Sequence, residues 1–197
     1  MKKKDDESIF NKYNLKWVIM ISFWTFIMAI FFSLITENLM KNLDILLAFV
    51  ILVIIMLIGI VFDIIGIAVT ASDEKPFHSM AANKIEEAKY AVKLIRNAGQ
   101  VSNFCNDVVG DISGIISGAA GTTIIYKLID RYSIKNGTIL SIIITALIAS
   151  FTVGGKALGK GIAINNSEKI IFQISKVLKL MGSKLKIDLF PDLKRKK

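Results

Sequence analysis

Trp17 to Ile35 is a run of nineteen residues without a charge, and Leu43 to Thr70 is a longer one interrupted only by Asp44 near its start and Asp63 inside. A bilayer's hydrocarbon core needs about 20 consecutive apolar residues in a helix. Two further runs follow, one from the neighbourhood of Val101 to Ile129 and one from Ile139 to Val153. A chain patterned this way has to fold into membrane-spanning helices. Once the four spans are subtracted from 197 residues, only short connections remain, so one membrane domain is expected and no second globular one.

The spans are joined by segments of different character. TENLMKN reads as a short polar turn between spans one and two, and RYSIKNGT as another between spans three and four. Residues 71–100 form the longest polar connection. Within it AANKIEEAKYAVKLIRNAG has strong helix formers, acids in its first turn and Gly99 as its stop. Its apolar stripe (Ile85, Ala88, Val92, Ile95) needs either the membrane face or another helix as a partner. From Ser167 to Met181, Ile170, Ile171, Ile174, Val177, Leu178 and Met181 share one side, the pattern of an amphipathic helix lying in the headgroup layer. A basic tail, LFPDLKRKK, ends the sequence.

The fold class expected is all-α: four transmembrane helices, a cytoplasmic helix between spans two and three, and a C-terminal interfacial amphipathic helix. Lysines and arginines set its orientation. They crowd before span one, between spans two and three, and after span four, which places all three regions and both termini in the cytoplasm of a multi-pass protein of the cell (inner) membrane. The net charge of +9 therefore points to anionic lipid headgroups and not to nucleic acid.

The remaining chemistry is narrow. A single histidine and a single cysteine exclude an internal disulfide and an all-protein His/Cys zinc site. Cys105 is read as a small hydrophobe turned to lipid. No Ser/His/Asp or HExxH arrangement is present, so no enzymatic activity is expected. Gly154 to Lys160 fits G-x-x-x-x-G-K, but Gly161 replaces the required Ser or Thr and no strand precedes it. GGKALGKG is read instead as a flexible helix exit with snorkelling lysines.

Asn103 to Gly121, NFCNDVVGDISGIISGAAG, is the exceptional segment. Wound as an α-helix, it puts Asn103, Asn106, Asp107, Gly110, Asp111, Ser113, Gly114, Ser117, Gly118 and Gly121 on one half and only apolar residues on the other. Intramembrane charges cost about 2.5 to 3.5 kcal/mol each on insertion scales unless they face protein or water. Spans two and three run antiparallel, with Asp63 and Asp107 each six or seven residues from the same boundary, roughly 10 Å deep at 1.5 Å per residue. That depth match predicts a cation site: Asp63, Asp107 and Asp111 supplying charge, and Asn103, Asn106 and Ser113 neutral oxygens. Such hard ligands suit Mg²⁺ or Ca²⁺. Gly110, Gly114 and Gly118 would let helices approach closely.

The order of these parts, over Leu43 to Met181, resembles the transmembrane domain of the CNNM/CorC (CorB) magnesium transporter family. AKYAVKLIRNAGQVSNFCNDVVGDISGIISGA is similar to the family's A-x-x-x-L-x-L-x-x-x-P-x-x-x-L-x-x-x-x-x-x-N region, and GGKALGKGIAINNSEKI to its G-E-x-x-P-K-x-x-A-x-x-x-x-E-x-x pattern. Gly155 stands where the family has its glutamate, Gly159 where it has its proline, and Gly66 where it has an acid late in span two; Lys160 matches. The resemblance implies a homodimer with a cytoplasm-facing, Mg²⁺-binding cavity, here without the family's paired CBS domains. It divides the chain into 1–42, a tail and extra anchor helix; 43–181, the transmembrane core; and 182–197, a basic tail. Two functions are thereby expected in competition: a divalent-cation transporter core, or a non-transporting scaffold or regulatory subunit that kept the fold and lost the ion site.

Overall fold

The computed structural model describes residues 15–185, and every regular element among them is helical. The helices are α1 (Leu15–Lys41), α2 (Ile45–Ala71), α3 (Lys75–Ala82), α4 (Glu86–Arg96), α5 (Ala98–Asn103), a π-helical segment (Phe104–Gly110), α6 (Asp111–Tyr132), α7 (Gly137–Asn165) and α8 (Ser167–Leu185). Four stretches are long and apolar enough to cross a membrane: Val18–Lys41, Ile45–Ala71, Ala98–Tyr132 and Gly137–Asn165. The protein is a multi-pass membrane protein. The third span is one continuous column made of α5, the π-helical segment and α6. The N-terminal lysines and the basic tail lie outside the described residues.

Spans two, three and four pack mutually, and α1 packs on span three from outside. Span three is the most enclosed of the four, whereas α1 leaves nearly all its large apolar side chains, Trp24 and Phe26 among them, exposed for lipid. At one end Met40, Ala48, Leu52, Met56, Ala120 and Ile124 form a small core. There the Lys127 ammonium donates to the carbonyls of Met40 and Leu43. The cation thus reinforces the turn after α1, where Met40 O also accepts from the Leu43 N–H. The expected polar turn TENLMKN is mostly helix: α1 runs on through Lys41, with Thr36 and Met40 buried, and the turn shrinks to Asn42–Asp44.

At the other end α3, α4 and α8 fold beneath the bundle around Ala68, Val69, Phe77, Ala88, Ala91, Val92, Leu94, Val101, Cys105, Ala163 and Ile171. The expected single helix over AANKIEEAKYAVKLIRNAG is two. α3 carries Pro76 in its first turn, where its missing N–H costs nothing. It ends at Ala82, and the chain turns through Lys84, which adopts the left-handed φ of 62°. The Lys84 N–H donates to Ala81 O and the Ile85 N–H to Met80 O, so the last carbonyls of α3 are satisfied by the turn itself. Gly99 is no stop either. α4 gives way at Asn97 to α5, and the Val101 N–H donates back to Asn97 O, so the column continues almost without a break.

The partner that α4 requires is α8 and not the membrane face. Ile171 and Ser175 of α8 are fully buried among these helices, while Val177, predicted on the same apolar side, is exposed. Lys179 Nζ lies 2.9 Å from Glu86 Oε2 and 3.3 Å from Glu87 Oε1. Lys179 holds the Glu86 carboxyl below its ordinary value; the Glu87 carboxyl is lowered by its own backbone N–H and then by Lys179. The lysine is raised in turn by Glu86 and Glu87. The two carboxylates favour folding above the ordinary pKa of 4.5, and that contribution is lost as pH falls through their lowered values. The lysine favours folding below 10.5, and its share is lost as pH rises through its raised value. Lys179→Ala is therefore expected to lower the melting temperature most between these limits and least at either extreme, in thermal unfolding followed across pH.

Candidate cation site

Gly59, Asp63 and Gly66 recur at i, i+4 and i+7 on one face of α2, and this face is pressed against span three. A Cβ on Gly59 would stand 2.8 Å from the Cβ of Ser113, and one on Gly66 only 2.0 Å from Asn106 Oδ1. Between them, a Cβ on Gly110 would lie 3.9 Å from Asp63 Oδ1. The two helices run antiparallel in a register of glycine against side chain, and Asp63 faces the one residue of span three that leaves it room.

The third wall is α7. Its Gly155 and Gly159 take the side chains of Ile60 and Ile64, whose nearest atoms fall 2.3 Å and 2.7 Å from the positions of the missing Cβ atoms. That close approach carries Lys156 to the carboxylates. Its Nζ is 4.0 Å from Asp63 Oδ1 and 3.7 Å from Asp111 Oδ1, and would be 3.5 Å from a Gly110 Cβ. Both separations exceed the roughly 2.7 to 2.9 Å of a charge-assisted hydrogen bond. The ammonium is held between two carboxylates by Coulomb attraction and is docked on neither. Exposure grades across the triad, with the Asp63 side chain 13% accessible, Lys156 29% and Asp111 68%. A narrow cleft of about 10 Å³, lined in part by Gly59, Ser113, Ser117, Thr152 and Lys156, lies beside the triad among spans two, three and four.

The expected partnership of Asp63 with Asp107 is replaced by this one. Residues 104–110 are wound as a π-helix, which inserts extra residue length per turn and rotates the rest of span three relative to an α-helical wheel. Asp107 consequently turns toward span one. With Asp111 it lines a recess of about 550 Å³ whose other walls include Ser22, Thr25 and Phe26. The same rotation buries Cys105, which was expected to face lipid, and sets it in the lower core. Ile112 and Ile116 are buried as well, because α1 and α2 both grip span three on the side assigned to lipid.

Of the six residues predicted to form the site, Asp63 and Asp111 meet through Lys156. Asn106 and Ser113 lie along the same face of α2. Asn103 is exposed near the boundary, and Asp107 belongs to the recess beside span one. Asn106 donates from Nδ2 to Ser102 Oγ at 3.2 Å, and its Oδ1 is buried without a hydrogen-bond partner. Its carboxamide fills the space that a side chain at position 66 would require. Among the described residues no three His, Cys, Asp or Glu side chains converge, so any cation held here would also draw on amide, hydroxyl or water oxygens.

Lys156 is the member of the candidate site that sequence reasoning missed. Reading GGKALGKG as a flexible exit removed it from the membrane; in fact α7 continues unbroken to Asn165. Its backbone N–H groups are consumed by the helix, which also disposes of the resemblance to a phosphate-binding loop. The available signal was the four-residue spacing of Gly155-Lys156 and Gly159-Lys160, a helical repeat that sets two glycines on one line and two lysines on the next. No protein-family model, no curated protein and no solved structure matches this chain.

Proposed function

We propose that this protein is the membrane core of a divalent-cation transporter, with Mg²⁺ as the leading substrate, binding its cation at Asp63 and Asp111. The observation that carries the reading is the pairing of these carboxylates around one loosely held ammonium at the π-helical break of span three, with the unpartnered Asn106 oxygen a turn away along α2. π-Helical turns inside spans are frequent at functional sites, because they leave backbone and side chains in arrangements an α-helix does not offer. Carboxylate and carboxamide oxygens fit a hard cation. Asp107 and Ser113 would serve the path to the site. The resemblance to the CNNM/CorC transmembrane domain supports the same class, with a cytoplasm-facing cavity, both termini inside and a homodimer in the inner membrane. Gly114 and Gly118, which have open space beside them, are suited to contact with a second copy.

The second reading is a membrane scaffold or regulatory subunit, favoured by one observation: the two carboxylates already have a protein counter-charge in Lys156. Flux in proteoliposomes, comparing Mg²⁺, Co²⁺ and Na⁺, separates the two. Uptake of Mg²⁺ or Co²⁺ above protein-free vesicles is expected; no flux for any of the three overturns the transporter reading and leaves the scaffold.

A further inference from the structure

We propose that Lys156 is a tethered competitor for the transported cation, so that a divalent ion enters the Asp63–Asp111 site only as the Lys156 ammonium leaves it. This rests on the transporter reading and adds a control to that site.

Three features carry it. The first is position: Nζ stands 4.0 Å from one oxygen of Asp63 and 3.7 Å from one oxygen of Asp111, and is the cation that faces both carboxylates. Distances of that length give attraction without the short, directional hydrogen bonds that would lock the ammonium in place. The second is the mount. Lys156 comes from a helix different from those of either acid, and α7 meets α2 through glycines against isoleucine side-chain ends. The lysine stem is long and its side chain is 29% accessible, so it can swing out along the open side where Asp111 lies exposed.

The third feature is charge. Within the triad, two carboxylates and one ammonium sum to a single negative charge, and Lys160 adds a further positive field at Asp63. A divalent ion added with Lys156 in place would leave a net positive charge within a membrane span, where an uncompensated charge is costly. A divalent ion that displaces Lys156 leaves the site neutral. Occupation by the lysine and by the divalent ion therefore exclude one another, and the apparent affinity of the ion is reduced by the fraction of time that Lys156 is in place.

The test is Mn²⁺ and Mg²⁺ binding to the purified full chain in detergent, for wild type, Lys156→Gln and Lys156→Arg. Lys156→Gln is expected to bind Mn²⁺ about tenfold more tightly, the factor for a site closed nine-tenths of the time. Lys156→Arg, which keeps a tethered cation, is expected to stay near wild type. A second measurement uses wild type alone: Mg²⁺ should accelerate labelling of Lys156 by an amine-reactive reagent, read by peptide mass spectrometry. Saturable Mn²⁺ or Mg²⁺ binding by wild type with equal or weaker binding by folded Lys156→Gln overturns the competitor while sparing the transporter. The competitor also falls, and the transporter stands, if Lys156→Gln does not fold and Mg²⁺, although bound by wild type, leaves Lys156 labelling unchanged or slowed. No saturable binding of either ion by any of the three proteins overturns both readings together.

Discussion

Asp63→Asn is expected to abolish divalent-cation flux and at the same time to weaken the fold by on the order of 2 kcal/mol. The stability cost arises from the charge left behind. Removing one partner of a fully buried ion pair costs about 3 to 5 kcal/mol, because the other charge stays buried and uncompensated. Here Asp111 still faces Lys156, and the lysine is partly accessible, so the penalty falls below that range. Asp107→Asn provides the contrast. Asp107 is exposed in the recess beside α1 and shares no ion pair with Lys156, so a stability change within about 0.5 kcal/mol is expected, as for surface substitutions generally. Denaturation in detergent reads the stability change and proteoliposome flux the loss of transport. Wild-type flux in Asp63→Asn would remove Asp63 from the transport path even if its structural role stood.

Gly66→Leu is the substitution expected to damage assembly most. A Cβ alone would sit 2.0 Å from Asn106 Oδ1 and 2.7 Å from its Cγ, distances that no packed atoms tolerate. The carboxamide has to leave its place, giving up its bond to Ser102, or α2 and span three have to separate. Overpacking of a tight interface costs about 1 to 3 kcal/mol, and occasionally more. Separation of the helices would also withdraw Asp63 from Asp111 on span three, so the loss of cation binding should exceed what the stability change alone implies. The double variant Gly66→Ala, Asn106→Ala removes the obstructing amide and is expected to recover most of the stability. Failure of that rescue would show that the glycine contributes something other than space.

Much of this architecture could be read from residue order. The four apolar runs mark the spans, and Asp63 announces itself as a carboxylate in a segment with no other charge beyond its first turns. The parts that stayed hidden share one physical cause: they depend on helix continuity and winding, which composition reports poorly. Polar residues in TENLMKN and glycines in GGKALGKG argue for turns locally, yet both are carried as helix because neighbouring helices bury Thr36, Met40, Gly159 and Ala163. An α-helical wheel put Cys105 in lipid and Asp107 opposite Asp63; a π-helical turn moves both. Asn97 and Lys84 end or bend helices without a glycine, since hydrogen bonds supply what backbone preference does not. The spacing of Gly59, Asp63 and Gly66 was visible throughout and acquires meaning only beside Ser113, Gly110 and Asn106.

The triad also sets a condition on how the chain is made. Lys156 follows Asp63 by 93 residues, so at about 5 to 20 residues synthesised per second the carboxylate waits roughly 5 to 20 s for its counter-charge. During that interval α2 has to hold an uncompensated acid, and it is the most apolar of the four spans, the one best able to insert in spite of it. Until α7 arrives, the nascent bundle is unfinished at its most polar point. A ribosome-arrested chain ending before Gly137 is expected to leave a cysteine placed at 63 open to a water-soluble thiol reagent, and one extending past Asn165 to shield it; equal labelling at both lengths would show that α2 and span three close the site by themselves. The site, on this view, is complete when the lysine arrives, and the lower core when α8 follows it.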